Sequence, residues 1–235
     1  MFSDDEAGAR REALSERLSL VQSGVAAAAQ AAGRDPDELT LIVVTKFHPA
    51  QLVRDLAALG VRDVGENRHQ EAQAKAAELA DLELHWHFIG QLQTKKARQV
   101  AQYADAIHSI DRERLVEALA SITRELDVFV QVNLTDDPGR GGADPVDLER
   151  IVERVLEVPQ LHLRGVMAVA PLPHEEPADR AFARLRGYSD RVRALAPAAD
   201  AISAGMTHDY AEAIAAGATH LRIGSAITGN RPAQG

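Results

Sequence analysis

The chain has 235 residues, of which 46% are hydrophobic and 4% aromatic, with no cysteine and a formal net charge of −9. Disulfides and thiolate metal sites are therefore excluded, and the acidic balance opposes the phosphate neutralisation on which non-specific nucleic-acid binding rests. The scarcity of aromatic residues argues against a base-stacking platform, and no apolar run approaches the roughly 20 residues that span a bilayer.

The N-terminal stretch MFSDDEAGARREALSERL is charged and lacks an apolar h-region, so no signal peptide is expected and a cytoplasmic protein is the default. Residues 5–33 read as one long leading helix, with Leu14, Leu18, Val21 and Val25 at helical spacing and Gly33 as its stop. The β-rich run LTLIVV (39–44) follows, then a helix from Pro49 to Gly60 and a short strand in VRDVGEN (61–67). The alternation continues with a helix in RHQEAQAKAAELA, a strand in LHWHFIG, a helix in TKKARQVAQYA and a strand in AIHSI. Asp111 is the expected N-cap of the helix DRERLVEALASITRE, and DVFVQVNL is the next strand. Asp144 and Pro145 open PVDLERIVERVLEV, followed by the strand LRGVMAVA and the helix EPADRAFARLRGYSDRVRALA. The last elements are the strand AISAGM, the helix HDYAEAIAAGA and the strand THLRIGSAI.

Eight strand candidates, seven intervening helices and a leading helix in this order predict an α/β chain folded as a single-domain (β/α)8 TIM barrel with an extra N-terminal helix. The domain spans 1–235, with the leading helix over 1–33 and the barrel over 39–231. An open doubly wound sheet is the competitor, but no G-x-G-x-x-G turn follows the first strand. The Gly/Pro-rich stretches DDPGRGGADP and APLPHEEPAD each follow a strand and become loops on the C-terminal face, where barrel sites lie.

Lys46 stands just past the first strand, in VVTKFHP, at that rim. Among apolar neighbours a lysine loses hydration, its neutral amine becomes available, and attack on a carbonyl to form a Schiff base is open to it. The alternative is a lysine that snorkels to solvent at a strand end. Ser203 follows strand seven, with Gly205 allowing a tight turn, and Gly224 and Ser225 follow strand eight, the two places where barrels commonly bind phosphate. Ordinary turn chemistry is the alternative there. Arg222, between Leu221 and Ile223, points into the barrel if those two face the helices. It then needs an acceptor, either a pyridine nitrogen or a buried carboxylate. An amine, a phosphate cup and an arginine between them describe a cradle for pyridoxal 5'-phosphate (PLP), a form of vitamin B6.

The stretches VVTKFHP, GENRHQEAQAK, WHFIGQLQTKK, VFVQVN, LRGVMAVAP, SAGMTHDYAEAIAAGATHLRIGSAI and GNR run in order from about residue 40 to 231. In these the sequence resembles the pyridoxal phosphate homeostasis proteins, relatives of the alanine racemase barrel domain. The resemblance implies PLP held as an internal aldimine on Lys46, with phosphate contacts from Ser203 and the Gly224–Ser225 segment and with Arg222 near the pyridine nitrogen. It also places Asn67 and Met206 in the pocket. Three positions depart from the family pattern: Lys95 replaces an asparagine, Ala204 a methionine, and Arg140 a lysine in a less glycine-rich loop.

Racemisation needs a strong electron sink and acid/base groups on both faces of the substrate carbon. An arginine at the pyridine nitrogen weakens the sink. In alanine racemases the second base is a tyrosine from a separate β-domain, for which a chain of 235 residues leaves no room. Tyr103 and Tyr188 fall in helical segments away from the rim, which leaves Tyr210. The expected role is therefore PLP buffering and delivery without catalytic residues or robust turnover. The partners would be PLP itself and, transiently, PLP-dependent apoenzymes, with neither nucleic acid nor membrane. Weak racemase activity, a Schiff-base aldolase using Lys46, and a scaffold in which Lys46 is incidental are the alternatives. His85 and His87 share a strand face, where inward polar packing is favoured over a metal site because no third ligand stands at a suggestive spacing.

Overall fold

The computed structural model describes residues 4–230. The first three residues of the expected leading-helix span, and Arg231 at the end of the GNR motif and of the expected barrel, lie outside them. Eight parallel strands close into a barrel in sequence order: β1 (Thr40–Val44), β2 (Asp63–Glu66), β3 (His85–Phe88), β4 (Ala106–Ile110), β5 (Leu126–Gln131), β6 (Leu161–Met167), β7 (Ala201–Ser203) and β8 (His220–Ile223). Closure is made by β1 on β8, in the register Thr40↔His220 to Val43↔Ile223. Around the strands lie α2 (Ala50–Ala58), α3 (His69–Glu78), α4 (Ala97–Val100), α5 (Glu113–Leu119), α6 (Leu148–Leu156), α7 (Ala178–Leu195), α8 (Tyr210–Ala215) and α9 (Ser225–Thr228), preceded by α1 (Asp4–Ala31).

Period-two alternation sorts the strand residues into two layers. On β5, Val128 and Val130 belong to the apolar core between sheet and helices, whereas Phe129 joins Met167 and Ala201 in a small separate cluster. Leu221 and Ile223 are fully buried in the outer core, so Arg222 between them faces the barrel interior, as alternation predicts. The interior is accordingly polar: His87, His108, Ser203 and Arg222 are all buried.

The stripe Leu14, Leu18, Val21 and Val25 is buried, and α1 packs on α8 and α9. Polar ties reinforce the contact. Arg17 Nε donates to the Ile227 carbonyl at 2.7 Å, and Arg34 Nη1 donates to the Ala218 carbonyl at 2.6 Å. Asp55 of α2 is buried and accepts from Arg10 and Arg11 at 3.0 and 2.9 Å.

Two helix starts differ from the sequence reading. Asp111 does not cap α5; the residue before the helix is Arg112, and the Asp111 carboxylate is taken by the Arg112 guanidinium. The α6 helix begins at Leu148 and not at Pro145, because Asp144 Oδ1 accepts from the Val146 amide at 3.0 Å and closes a turn there first. α4 and α5 are also shorter than the helical pattern, and α9 was not anticipated.

Leu14 is fully buried on α1, so Leu14→Ala should lower unfolding stability by about 2–5 kcal/mol, read as a fall in the urea midpoint at unchanged slope.

Candidate functional site

A cavity of about 410 Å³ opens at the C-terminal rim. Its walls include six of the seven residues singled out from sequence, namely Lys46, Asn67, Met206, Arg222, Gly224 and Ser225, together with Val44, Ile89, Val169 and the turn Thr207–Asp209. A larger groove of about 880 Å³ lies on the outer surface, lined by residues of α7 and α8 and by the mixed charges Arg34, Glu38, Arg193 and Asp200. The rim cavity is the stronger candidate because it gathers an amine, a guanidinium and an amide side chain.

Lys46 is exposed, so the desolvation expected for its amine is not what the structure shows. Its backbone, in contrast, is held tightly. Thr45 is fully buried, and its hydroxyl donates to Glu66 Oε1 at 2.7 Å. The buried Lys75 of α3 donates to the same Glu66 oxygen at 2.7 Å, to the Thr45 carbonyl at 2.9 Å and to Glu71 Oε1 at 3.0 Å. Glu71 Oε1 also accepts from the Phe47 amide at 2.5 Å, and Phe47 sits at φ +68°, a conformation that non-glycine residues rarely adopt. Burial raises the Glu66 pKa above the usual carboxylate range, opposed chiefly by the Lys75 charge and its hydrogen bond.

Asn67 follows β2, and its Oδ1 is buried without a hydrogen-bond partner. Gly90 permits that approach, since a Cβ there would lie 2.3 Å from the Asn67 carbonyl oxygen. Arg222 is buried and makes no ion pair among the described residues. Its Nη1 donates to Ser203 Oγ at 2.7 Å and its Nη2 to the Ala168 carbonyl at 2.9 Å, so the Arg–carboxylate alternative does not hold. Burial pulls its pKa down to about 10, and it remains charged at neutral pH.

Ser203 does not line the cavity. It is fully buried at the end of β7, with its hydroxyl engaged by Arg222 and by His108 Nδ1 at 2.8 Å. The chain then turns at Gly205, φ +93°, where a Cβ would lie 2.8 Å from that of Ala213, and the rim is reached only at Met206. Met206 N donates to Asp209 Oδ1 at 2.6 Å, which closes the turn bearing Thr207 and His208. Thr207 is the hydroxyl that the sequence reading missed. The available signal was its position just before the α8 helix, and not just after β7.

Tyr210 is absent from the cavity wall. A Cβ on Gly24 would lie 2.6 Å from its hydroxyl, which places that hydroxyl against α1. Arg140, one of the departures, spans two loops: it donates to Glu175 at 3.3 Å and to the Ala170 carbonyl at 3.1 Å. His87 is buried and His85 exposed, both directed at Asp63, and no cluster of metal-ligating side chains occurs among the described residues.

A closed parallel barrel with an amine, an inward arginine and two hydroxyl-bearing turns at its rim is a barrel of the alanine racemase type. The family model for the alanine racemase N-terminal domain matches residues 18–232. The pyridoxal phosphate homeostasis protein of Pseudomonas aeruginosa is 43% identical over 224 residues, covering 93% of this chain and 96% of its own. Its counterpart in Escherichia coli K12 is 37% identical over 93% of this chain and 97% of its own. Among solved structures, PipY of Synechococcus elongatus with PLP bound superposes with a TM-score of 0.77 at 36% identity, covering 91% of this chain and 99% of that one. Alanine racemase of Corynebacterium glutamicum, at 15% identity and a TM-score of 0.67 over 92% of this chain and 60% of its own, shares the fold. The chain belongs to the pyridoxal phosphate homeostasis protein family, within the alanine racemase N-terminal domain family.

Two predictions follow from the buried charges. Lys75→Met leaves Glu66 without its cation and should cost about 3–5 kcal/mol, measured by denaturant melts. Burial, followed by the His87 charge, pushes the His220 pKa from 6.5 down to about 4. Between those values the unfolded chain binds more protons than the folded one, so stability should fall as pH is lowered through that window. His220→Gln should shallow the fall in a pH series of melting temperatures.

Proposed function

We propose that this chain binds PLP in the rim cavity and buffers or delivers it in the cytoplasm, without robust turnover. The observation that carries the reading is that Lys46, Asn67 and Arg222, which makes no ion pair among the described residues, line one cavity of about 410 Å³. The reading is also supported by family membership and by the relative PipY, whose structure has PLP bound.

PLP supplies an aldehyde that condenses with a lysine amine and an electron-withdrawing ring. The residues present fit such a group. Lys46 Nζ is the amine for covalent attachment. Thr207, Ser225 and the backbone at Gly224 offer donors to a phosphate. The role first assigned to the Ser203 hydroxyl passes to Thr207. Arg222, which can only donate, suits an unprotonated pyridine nitrogen and keeps it unprotonated. Asn67 and Met206, which line the cavity, would lie beside the bound group.

Lys46 can hold or move a proton on one face of a bound amino acid. Tyr210, the tyrosine that the sequence offers for the opposite face, is turned against α1 at Gly24. An exposed Lys46 at an open rim also suits hand-over to PLP-dependent apoenzymes.

Protein incubated with PLP should be yellow, be bleached by borohydride, and yield a pyridoxyl adduct on the peptide containing Lys46. Lys46→Ala should lose both colour and adduct and retain PLP at least about tenfold less tightly. Tyr210→Phe should change neither. Enzyme-like interconversion of alanine enantiomers, abolished by Tyr210→Phe, would reject the reading.

A further inference from the structure

A line of side chains crosses the barrel interior beneath the cavity, and the proposed site uses only its upper end. Asp63, the first residue of β2, lies on the floor of the barrel, 2.9 Å from His87 Nε2. His87 Nδ1 is 3.0 Å from His108 Nε2. His108 Nδ1 is 2.8 Å from Ser203 Oγ, which accepts from Arg222 Nη1 at 2.7 Å. Three consecutive strands, β2, β3 and β4, are bridged from floor toward rim, and β7 and β8 complete the path.

One assignment of hydrogens satisfies every link. An ionised Asp63 can only accept, so His87 carries its hydrogen on Nε2. A neutral His87 then accepts at Nδ1, so His108 donates from Nε2 and accepts at Nδ1. That acceptor takes the Ser203 hydroxyl hydrogen, and the Ser203 lone pairs are left facing Arg222. The reverse polarity fails at the floor, because an ionised Asp63 has no hydrogen to give, and at the rim it leaves the Ser203 hydroxyl hydrogen without a partner in the line. The surroundings favour these states. Burial, reinforced by the Arg222 charge, holds the His108 pKa well below the ordinary imidazole range. For Asp63, burial is outweighed by the His87 hydrogen bond and the His87 and His85 charges, and its pKa is lowered. Phe129 stacks on His108 at a centroid distance of 4.2 Å and an interplanar angle of 17°, which restrains the ring.

We propose that Asp63, His87, His108 and Ser203 form a through-barrel positioning relay, in which the floor carboxylate fixes the tautomer of both rings and so holds Arg222 as an oriented donor at the rim cavity. The relay rests on the PLP reading only for its effect on binding. None of its first three members touches the ligand.

The test has two readouts. On the cofactor-free chain, long-range ¹H–¹⁵N spectra should show both His87 and His108 as Nε2–H tautomers. Asp63→Asn can present either a donor or an acceptor to His87, and should give mixed tautomers at both rings. With PLP added, Asp63→Asn should bind it about fivefold more weakly, as should Ser203→Ala, and the double variant should bind no more weakly than either alone. A wild-type spectrum with an Nδ1–H tautomer at either ring, unchanged tautomers in Asp63→Asn, or additive losses of affinity would each overturn the relay. A wild-type chain that binds no PLP rejects the proposed function instead, and the tautomer spectra, recorded without cofactor, still decide whether the floor sets the rings.

Discussion

The ion pair between Glu66 and Lys75 determines where the rim amine stands. Both side chains are buried, and neither could bear that burial alone, since an unpaired interior charge costs several kcal/mol. The pair therefore locks the end of β2 to α3. Lys75 spends another hydrogen bond on the Thr45 carbonyl, and Thr45 spends its hydroxyl on Glu66, so the exit of β1 joins the same knot. Lys46 and Phe47 leave that knot in a fixed direction. The left-handed backbone at Phe47 is the strained part of the arrangement, and the hydrogen bond from its amide to Glu71 offsets the strain. The amine is thus aimed by packed elements and not by a free loop, while its side chain remains in solvent.

The same preference for buried polar order runs through the barrel. Aliphatic layers are the usual filling of an eight-stranded parallel barrel. Here the interior carries imidazoles, a hydroxyl and a guanidinium, with Phe129, Met167 and Ala201 among its apolar members. Such a filling is tolerable only when nearly every donor meets an acceptor, because the low dielectric that strengthens a satisfied bond also makes a missing one expensive. Burial holds the pKa of His108 and of His220 down, so neither adds a charge beside Arg222 at neutral pH. Stability is given up at acidic pH, and orientation at the cavity is gained.

The strand–helix alternation and the stripe on α1 were legible in the sequence, because both rest on local periodicity. Arg222 was legible for the same reason: its neighbours Leu221 and Ile223 declare the outer face. Ser203 and Thr207 show the limit. β7 is three residues long, and nothing in AISAGMTHDY says how far the chain travels after the strand before it reaches the rim. The Gly205 turn carries it past Ser203, which stays inside and supports Arg222. The cap expected at Asp111 and the helix start expected at Asp144 and Pro145 failed for a related reason, since each carboxylate found a nearer donor. The Glu66–Lys75–Thr45 knot joins residues up to 30 positions apart, and no spacing rule reaches that far.

The leading helix bears on the site although it lies outside the barrel. Arg17 holds the Ile227 carbonyl of α9, the short helix whose start carries Gly224 and Ser225. Arg34 holds the carbonyls of Ile214 and Ala218 at the far end of α8, and the turn before α8 carries Thr207. α1 therefore braces the Gly224–Ser225 turn through α9, and the segment that follows α1 ties down the far end of α8. Its glycine at position 24 is also what admits the Tyr210 hydroxyl, since any Cβ there would collide with it. One helix thus steadies the start of α9 and takes up the hydroxyl of the tyrosine that the sequence offered as an opposing base.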